Sequence, residues 1–258
     1  MTPELLVPDW PAPAWVRALS STRRGGVSTG PWGVADGGPG GLNVGLACGD
    51  DPAAVAENRA RLRVLLPSRP AWLRQVHGSE VLHVDALPPA GEPPPVADAA
   101  VTTVPGRVLA IQTADCLPVL FADRRRRIVG AAHAGWRGLA TGVLEATIDA
   151  MRALGASAPD IVAWIGPGIG PRAFEVGEDV REAFVARDEG AQACFVPLAV
   201  PGKWLADLPA LAQRRLAAAG LAEVVASGLC TFEDPERFYS YRRDGRCGRM
   251  VSLVWIDG

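Results

Sequence analysis

Three short segments carry side chains able to bind a soft or borderline metal: QVHG at 75–78, TADCLPVLF at 113–121 and HAGWRG at 133–138. They supply His77, Cys116 and His133, each beside a turn at the end of an apolar run. Two imidazoles and a thiolate are a workable three-ligand set for Zn²⁺. A structural zinc takes four protein ligands, usually in close pairs such as CxxC or HxxxH, and the chain has no such pair. A catalytic zinc keeps three and leaves the fourth position for water or substrate, so zinc here points to catalysis. The spacings, 39 and 17 residues, match no local zinc template. On residue types alone two rivals stand beside zinc. One is a cysteine nucleophile, Cys116, activated by His77 or His133. The other is a buried free cysteine near two histidines that satisfy core hydrogen bonds. His83, in the alternating VLHVD, reads as a packed or half-exposed strand residue and not as a ligand.

Other polar groups could support chemistry on an anion. HAGWRG leads from a strand into a helix expected near Gly138, where backbone N–H groups and Arg137 would make an anion site beside His133. TRRGG at 22–26 places Arg23 and Arg24 in a glycine turn, and YRRDG at 241–245 repeats the idea. Asn43 in GLNVG and Asp98 in ADAAVT are polar groups next to apolar runs, and Asp115 could orient a ligand from behind. Each could equally stabilise a turn. IGPGIG at 165–170 lacks the GxGxxG spacing of a dinucleotide site and contains a proline.

These groups need a scaffold of strands and helices. Up to about residue 50 the chain reads as short strands joined by turns, with Gly25, Gly26, Gly37 and Gly38 suited to positive φ. Asp51-Pro52 reads as an N-cap with proline at the first helical position, opening a helix to about Leu66. PPAGEPPP at 88–95 reads as a surface loop. VLAIQTADCLPVLFAD at 108–123 reads as a strand buried on both faces and interrupted by a functional turn. IVGAAHAGW is a second buried strand, with RRRR at 124–127 an exposed turn between them. Leu139, Val143, Leu144, Ile148, Met151 and Leu154 fall near one helical stripe over 138–154, closed by Gly155. DIVAWI and MVSLVWI read as strands, and helices are expected near 178–187 and 207–219. Interleaved strands and helices predict an α/β or α+β protein with a large mixed sheet.

Composition removes several classes. The 258 residues are 48% hydrophobic, enough for a sizeable core. A net charge of -2 gives nucleic-acid binding no electrostatic support. No run approaches the roughly 20 apolar residues that cross a bilayer, and MTPELLVPDWPAP lacks a signal-peptide pattern; a cytoplasmic protein is expected. Five scattered cysteines do not form a disulfide framework. Three histidines cannot supply the roughly ten ligands of a multicopper oxidase.

Nine segments in order resemble one family: TRRGGVS, LNVG, GDDPAAVAENR, QVHG, ADAAVT, TADCLPVLF, HAGWRG, IGPGIGPRAFEVG and FYSYRRDGRCGRM. They cover nearly the whole chain and are similar to the YfiH-like, laccase-domain purine nucleoside phosphorylases, also called polyphenol oxidases or peptidoglycan editing factors. The resemblance implies zinc on His77, Cys116 and His133. It implies phosphorolysis of adenosine, inosine and methylthioadenosine, with adenosine deamination as a further activity. It implies one α/β domain over 1–258, with two similar halves and kinship to cytotoxic necrotizing factor-type cysteine hydrolases. Its partners would be purine nucleosides and phosphate, with no nucleic acid and no membrane, and a monomer is expected. Arg23, Arg137 and Gly138 are then the phosphate candidates, Asn43 a substrate-binding candidate, and Asp115 and Glu175 the motif carboxylates for proton transfer. A zinc amide hydrolase editing peptidoglycan precursors, or a metal-free cysteine hydrolase using Cys116, are the alternatives. Two departures stand out: Arg172 and Ala173 replace a frequent Cys-Cys pair, and Cys247 replaces a frequent threonine.

Overall fold

Alternation along the strands divides the apolar residues between two faces, and those faces set the layers. The structure is a computed structural model that describes residues 2–86 and 92–258. Six strands form the central mixed sheet, in the order Glu223–Ala226, Ile161–Ile165, Leu117–Asp123, Val129–Ala134, Ala99–Thr102, Val81–His83. The outermost pair on each side is parallel and the inner pairs are antiparallel. An antiparallel sheet of four lies beneath it, in the order Leu5–Leu6, Val16–Ser21, Met250–Ile256, Leu109–Thr113. A small antiparallel sheet joins Glu175–Gly177, Lys203–Ala206 and Phe195–Pro197.

Leu117, Val119 and Phe121 point to one side of the large sheet and pack with Leu144, Ile148 and Leu211 from the helices Val143–Ala153 and Leu208–Ala218. Leu120, Ala122 and Trp164 point to the other side and meet Leu109, Ile111, Val254 and Ile256 of the four-stranded sheet. The far face of that sheet, Ala110, Val251, Leu253 and Trp255, is covered by Leu62 and Leu66 in and after the helix Pro52–Arg63. The stack is therefore helix, sheet, sheet, helices. Each fully buried Leu, Val or Phe in it contributes about 1.5–3 kcal/mol. No helix among the described residues is long and apolar enough to cross a membrane.

The Asp51 side chain accepts from the Ala53 N–H and Pro52 opens its helix, as the dipeptide predicts. Three expectations need correction. Residues 108–123 form two strands in different sheets, not one interrupted strand; the chain crosses between sheets at Ala114-Asp115-Cys116. The stripe at 138–154 is not one helix, because Gly142 at φ 104° separates Trp136–Thr141 from Val143–Ala153. Gly25 and Gly37 adopt positive φ, but Gly26 and Gly38 do not; Gly26 is small because an added Cβ would lie 2.2 Å from the Gly41 carbonyl oxygen. Of the loop expected at 88–95, residues 88–91 lie outside the described residues.

Candidate metal centre

Three chain segments end at one edge of the central sheet. His133 lies near the end of Val129–Ala134, in register with Pro118, two residues beyond Cys116. Asp98 precedes Ala99–Thr102, the other neighbour of the His133 strand, and its carbonyl accepts the His133 N–H at 2.7 Å. The QVHG turn is bound to this edge by the Asp98 carboxylate, which accepts from the N–H groups of Val76 (3.1 Å), His77 (2.9 Å) and Gly78 (2.7 Å). Asp98 Oδ1 also lies 2.8 Å from His133 Nδ1. One buried carboxylate thus fixes both histidines.

The ligating atoms of His77, Cys116 and His133 all lie within 4.8 Å of one another, and together they can hold a metal ion. Cys116 Sγ is 3.7 Å from His77 Nε2. The two rings meet edge to face with centroids 4.7 Å apart. With Nδ1 of His133 donating to Asp98, Nε2 is the ring nitrogen left for a metal, the carboxylate–histidine arrangement that orients metal ligands. His133 is buried, Cys116 half-buried and His77 exposed, so the cluster opens to solvent on the His77 side. The donor set fits zinc with one position left over.

The small residues of HAGWRG follow from this cluster. A Cβ on Gly135 would lie 2.8 Å from both Cys116 Sγ and His77 Cδ2. A Cβ on Gly138 would lie 2.8 Å from the Gly78 carbonyl oxygen. Backbone strain sits at the same place: among the described residues the non-glycine positions with positive φ are His77 (62°), in the cluster itself, and Asp115 (90°), which precedes Cys116. Each costs on the order of 1–3 kcal/mol and persists where its surroundings over-determine it.

Charges in the cluster support one another. Burial raises the Cys116 pKa, but His133 and then His77 outweigh it and bring the thiol down to about 6. Burial lowers that of His133, but Cys116 and Asp98 outweigh it and lift the imidazole to about 9. Burial also opposes ionisation of Asp98, yet His133 and the N–H groups of Gly78 and Val76 hold its carboxyl below the usual range.

The remaining candidates have other duties. Arg23 is buried; its guanidinium donates to the carbonyls of Gly33, Val34 and Pro235 and stacks 4.6 Å from the Tyr239 ring centroid. Asn43 is fully buried and binds Gly45, Cys48, Asp50 and the Arg249 N–H. Both side chains are committed to partners inside the fold, which corrects their assignment to phosphate and substrate. The Asp115 carboxylate accepts from the Thr231 hydroxyl and the Arg242 N–H, both at 2.6 Å, and its carbonyl accepts from the Ile169 N–H. It positions the Cys116 turn, so proton transfer is corrected to support. Glu175 is exposed on the small sheet, 3.8 Å from Lys203 Nζ, outside the ligand cluster. Gly138 is not the helix start: the helix begins at Trp136 and is six residues long. Arg137 is exposed, stacks 4.4 Å from the Trp136 ring centroid and has no acidic partner among the described residues. Arg243 of YRRDG binds the carbonyls of Thr231, Phe232 and Phe238. His83 is exposed and lies 3.2 Å from Asp85. Asp98 was visible in sequence only as an acid before an apolar strand; its control of both histidines was not.

Fold and site together define a layered α/β protein with a His-Cys-His cluster, open on one side, that could hold a metal ion. The family model described as multi-copper polyphenol oxidoreductase laccase matches residues 17–257. The chain is 53% identical over 254 residues to purine nucleoside phosphorylase PA4543 of Pseudomonas aeruginosa, covering 98% of each. It is 49% identical over 256 residues to purine nucleoside phosphorylase YfiH of Escherichia coli, covering 98% of this chain and 99% of that one. Among solved structures, Neisseria meningitidis protein NMB0706 superposes with a TM-score of 0.87 at 43% identity, covering 98% of this chain and 99% of that one. YlmD from Geobacillus stearothermophilus gives a TM-score of 0.80 at 30% identity, with 95% and 93% covered. The chain belongs to this laccase-domain, YfiH family. Its three histidines are too few for the roughly ten that the copper sites of a multicopper oxidase take.

Proposed function

We propose that the protein is a zinc-dependent purine nucleoside phosphorylase acting on adenosine, inosine and methylthioadenosine, with adenosine deamination as a further activity. The observation that carries this reading is 53% and 49% identity, over 98% of the chain, to two proteins called purine nucleoside phosphorylase. The uncommitted His77–Cys116–His133 edge supports it independently. Zinc held there supplies Lewis acidity toward substrate or water. Asp98 holds the His133 ring so that Nε2 faces the metal position. Arg137, exposed and without an acidic partner among the described residues, is the cation for phosphate. In phosphorolysis a phosphate oxygen bonds to C1′ of the ribose as the bond to the purine nitrogen breaks; that nitrogen keeps the electron pair and takes up a proton. In this proposal residues 1–258 act as one domain, a cytoplasmic monomer.

The test is product identification with adenosine, with and without phosphate, on zinc-loaded wild type and Cys116→Ala. Adenine and ribose 1-phosphate are expected only with phosphate and only from the wild type. Zinc-loaded protein that turns over none of the three nucleosides in phosphate would end this reading.

A second reading has its own observation. The lowered Cys116 thiol beside His77 Nε2 suits the nucleophile of a metal-free cysteine hydrolase, with an amide as its substrate. Kinship to cytotoxic necrotizing factor-type hydrolases, with two similar halves, belongs to this reading. Amide cleavage that persists in chelator and is lost in Cys116→Ala would favour it.

A further inference from the structure

A second concave region lies behind the Cys116 turn. The strands Ile161–Ile165 and Glu223–Ala226 are parallel neighbours, so their carboxyl ends emerge side by side. The loops that follow them and the first turns of the helix Leu208–Ala218 enclose a cleft of about 310 Å³. That reaches the lower end of the roughly 300–1,000 Å³ of small-molecule sites. Crevices outside the carboxyl ends of strands are where α/β sheets bind ligands.

The lining restricts what fits. Ile165, Pro209 and Leu229 make apolar walls. The charged groups at the cleft are already paired: Arg172 with Glu233 at 2.6 Å, and Asp207 as the cap of Ala210 N–H at 2.9 Å. A phosphate or carboxylate therefore finds no free cation there. The Gln213 carboxamide is half-buried, lines the cleft and has no hydrogen-bond partner among the described residues. It offers one donor and one acceptor side by side, the pattern with which glutamine reads adenine. The Ser227 hydroxyl adds a donor.

We propose that this cleft binds a neutral purine base, free or carried on a nucleoside, with its polar edge on Gln213 and its faces on the apolar walls. The cleft also reaches the metal edge. Its wall residues Gly170 and Cys230 adjoin Ile169 and Thr231, and both of these bind Asp115, the neighbour of Cys116. A base held in the cleft thus braces the Cys116 turn from behind. Base binding in the cleft is independent of the reaction proposed for the metal edge.

Calorimetric titration of the full chain with adenine and with adenosine tests it, alongside iodoacetamide labelling of Cys230, whose Sγ accepts the Gly170 N–H at 3.2 Å inside the cleft. Adenine is expected to bind wild type and Cys116→Ala alike and to slow Cys230 labelling. Its affinity should fall about ten-fold in Gln213→Leu, the loss of one hydrogen-bonding edge. Ser227→Ala provides the second variant, with a smaller loss in the same direction. Tighter binding of adenosine than adenine would identify the nucleoside as the occupant; the reverse would identify the free base. The proposal is overturned if adenine and adenosine both fail to bind at millimolar concentration. It is equally overturned if binding is lost in Cys116→Ala, if neither cleft variant weakens it, or if Cys230 labelling is unaffected.

Discussion

The ligand edge and the Arg23–Asn43 region carry similar chemistry in sequence and opposite roles in the fold. Both set polar groups in glycine-rich turns beside apolar runs. At the ligand edge, Asp98 takes up backbone N–H groups and one imidazole nitrogen, and the metal-facing atoms of His77, Cys116 and His133 converge on one another, with no other partner among the described residues. Around Arg23 and Asn43 every strong polar group is answered from inside: Arg23 by three carbonyls, Asn43 by Asp50, Cys48 and two backbone N–H groups. A site is recognised by what the fold leaves over after its own polar groups are satisfied. An arginine in a glycine turn is no anion site when distant carbonyls have already claimed it.

The sharpest way to break this contrast is Arg23→Ala. The change leaves the Gly33, Val34 and Pro235 carbonyls without their donor and removes the stacking on Tyr239. A loss of about 3–5 kcal/mol is expected, read as a lower urea midpoint. Zinc stoichiometry below that midpoint should be unchanged. Undiminished stability with weakened phosphate binding would return Arg23 to the site and erase the contrast.

Next in size is the charge state of the ligand edge in metal-stripped protein. A thiol lowered from 9.0 to about 6 makes stability rise with pH over that interval. An imidazole raised from 6.5 to about 9 makes stability fall as pH climbs through its folded value. The two slopes oppose each other between about 6.5 and 9, so the urea midpoint should stay nearly flat there. The thiolate population should not: Cys116 alkylation is expected to reach half its maximal rate near pH 6. His133→Ala removes the largest influence that lowers the thiol and leaves burial, so the half-point should move upward. A Cys116 half-point at the ordinary thiol value in wild type would mean the cluster is not coupled.

Asp98→Asn asks whether one carboxylate governs the whole edge. The amide keeps the size of the side chain but weakens its grip on the QVHG turn and on His133 Nδ1. Zinc affinity should fall about 10–100-fold, as for other partners of metal-bound histidine. Competition with a chromogenic chelator measures it, and unchanged affinity would make Asp98 purely a turn residue.

Much of the scaffold was readable because its signals are local. Asp51-Pro52 carries its own cap, and the apolar run at Met250–Ile256 needs only burial to become a strand. His77, Cys116 and His133 were readable as a group because each donor type sits at a turn closing an apolar run. What failed depended on distant partners. That Leu109–Thr113 and Leu117–Asp123 join different sheets is decided by Met250–Ile256 on one side and Val129–Ala134 on the other. The role of Asp98 depends on residues 20–35 positions away. Gly142 breaks an apolar stripe whose periodicity runs straight through it.

The smallest expected effect tests the contrast from its outer side. Glu175 is a motif carboxylate, yet its side chain is exposed and, among the described residues, pairs only with Lys203 at 3.8 Å, while its carbonyl accepts from Arg242 at 2.6 Å. The backbone of this residue does structural work that a side-chain change leaves intact. Exposed pairs of this kind contribute about 0–1 kcal/mol. Glu175→Gln should therefore shift the urea midpoint negligibly and leave zinc affinity as in wild type. Its effect on phosphate-dependent turnover should be less than about two-fold, since a free-energy change within roughly 0.5 kcal/mol corresponds to little more than that. If turnover instead collapses while zinc binding and stability hold, Glu175 acts on substrate from the rim. The boundary between committed and left-over polar groups would then have to be drawn to include the edge of the small sheet.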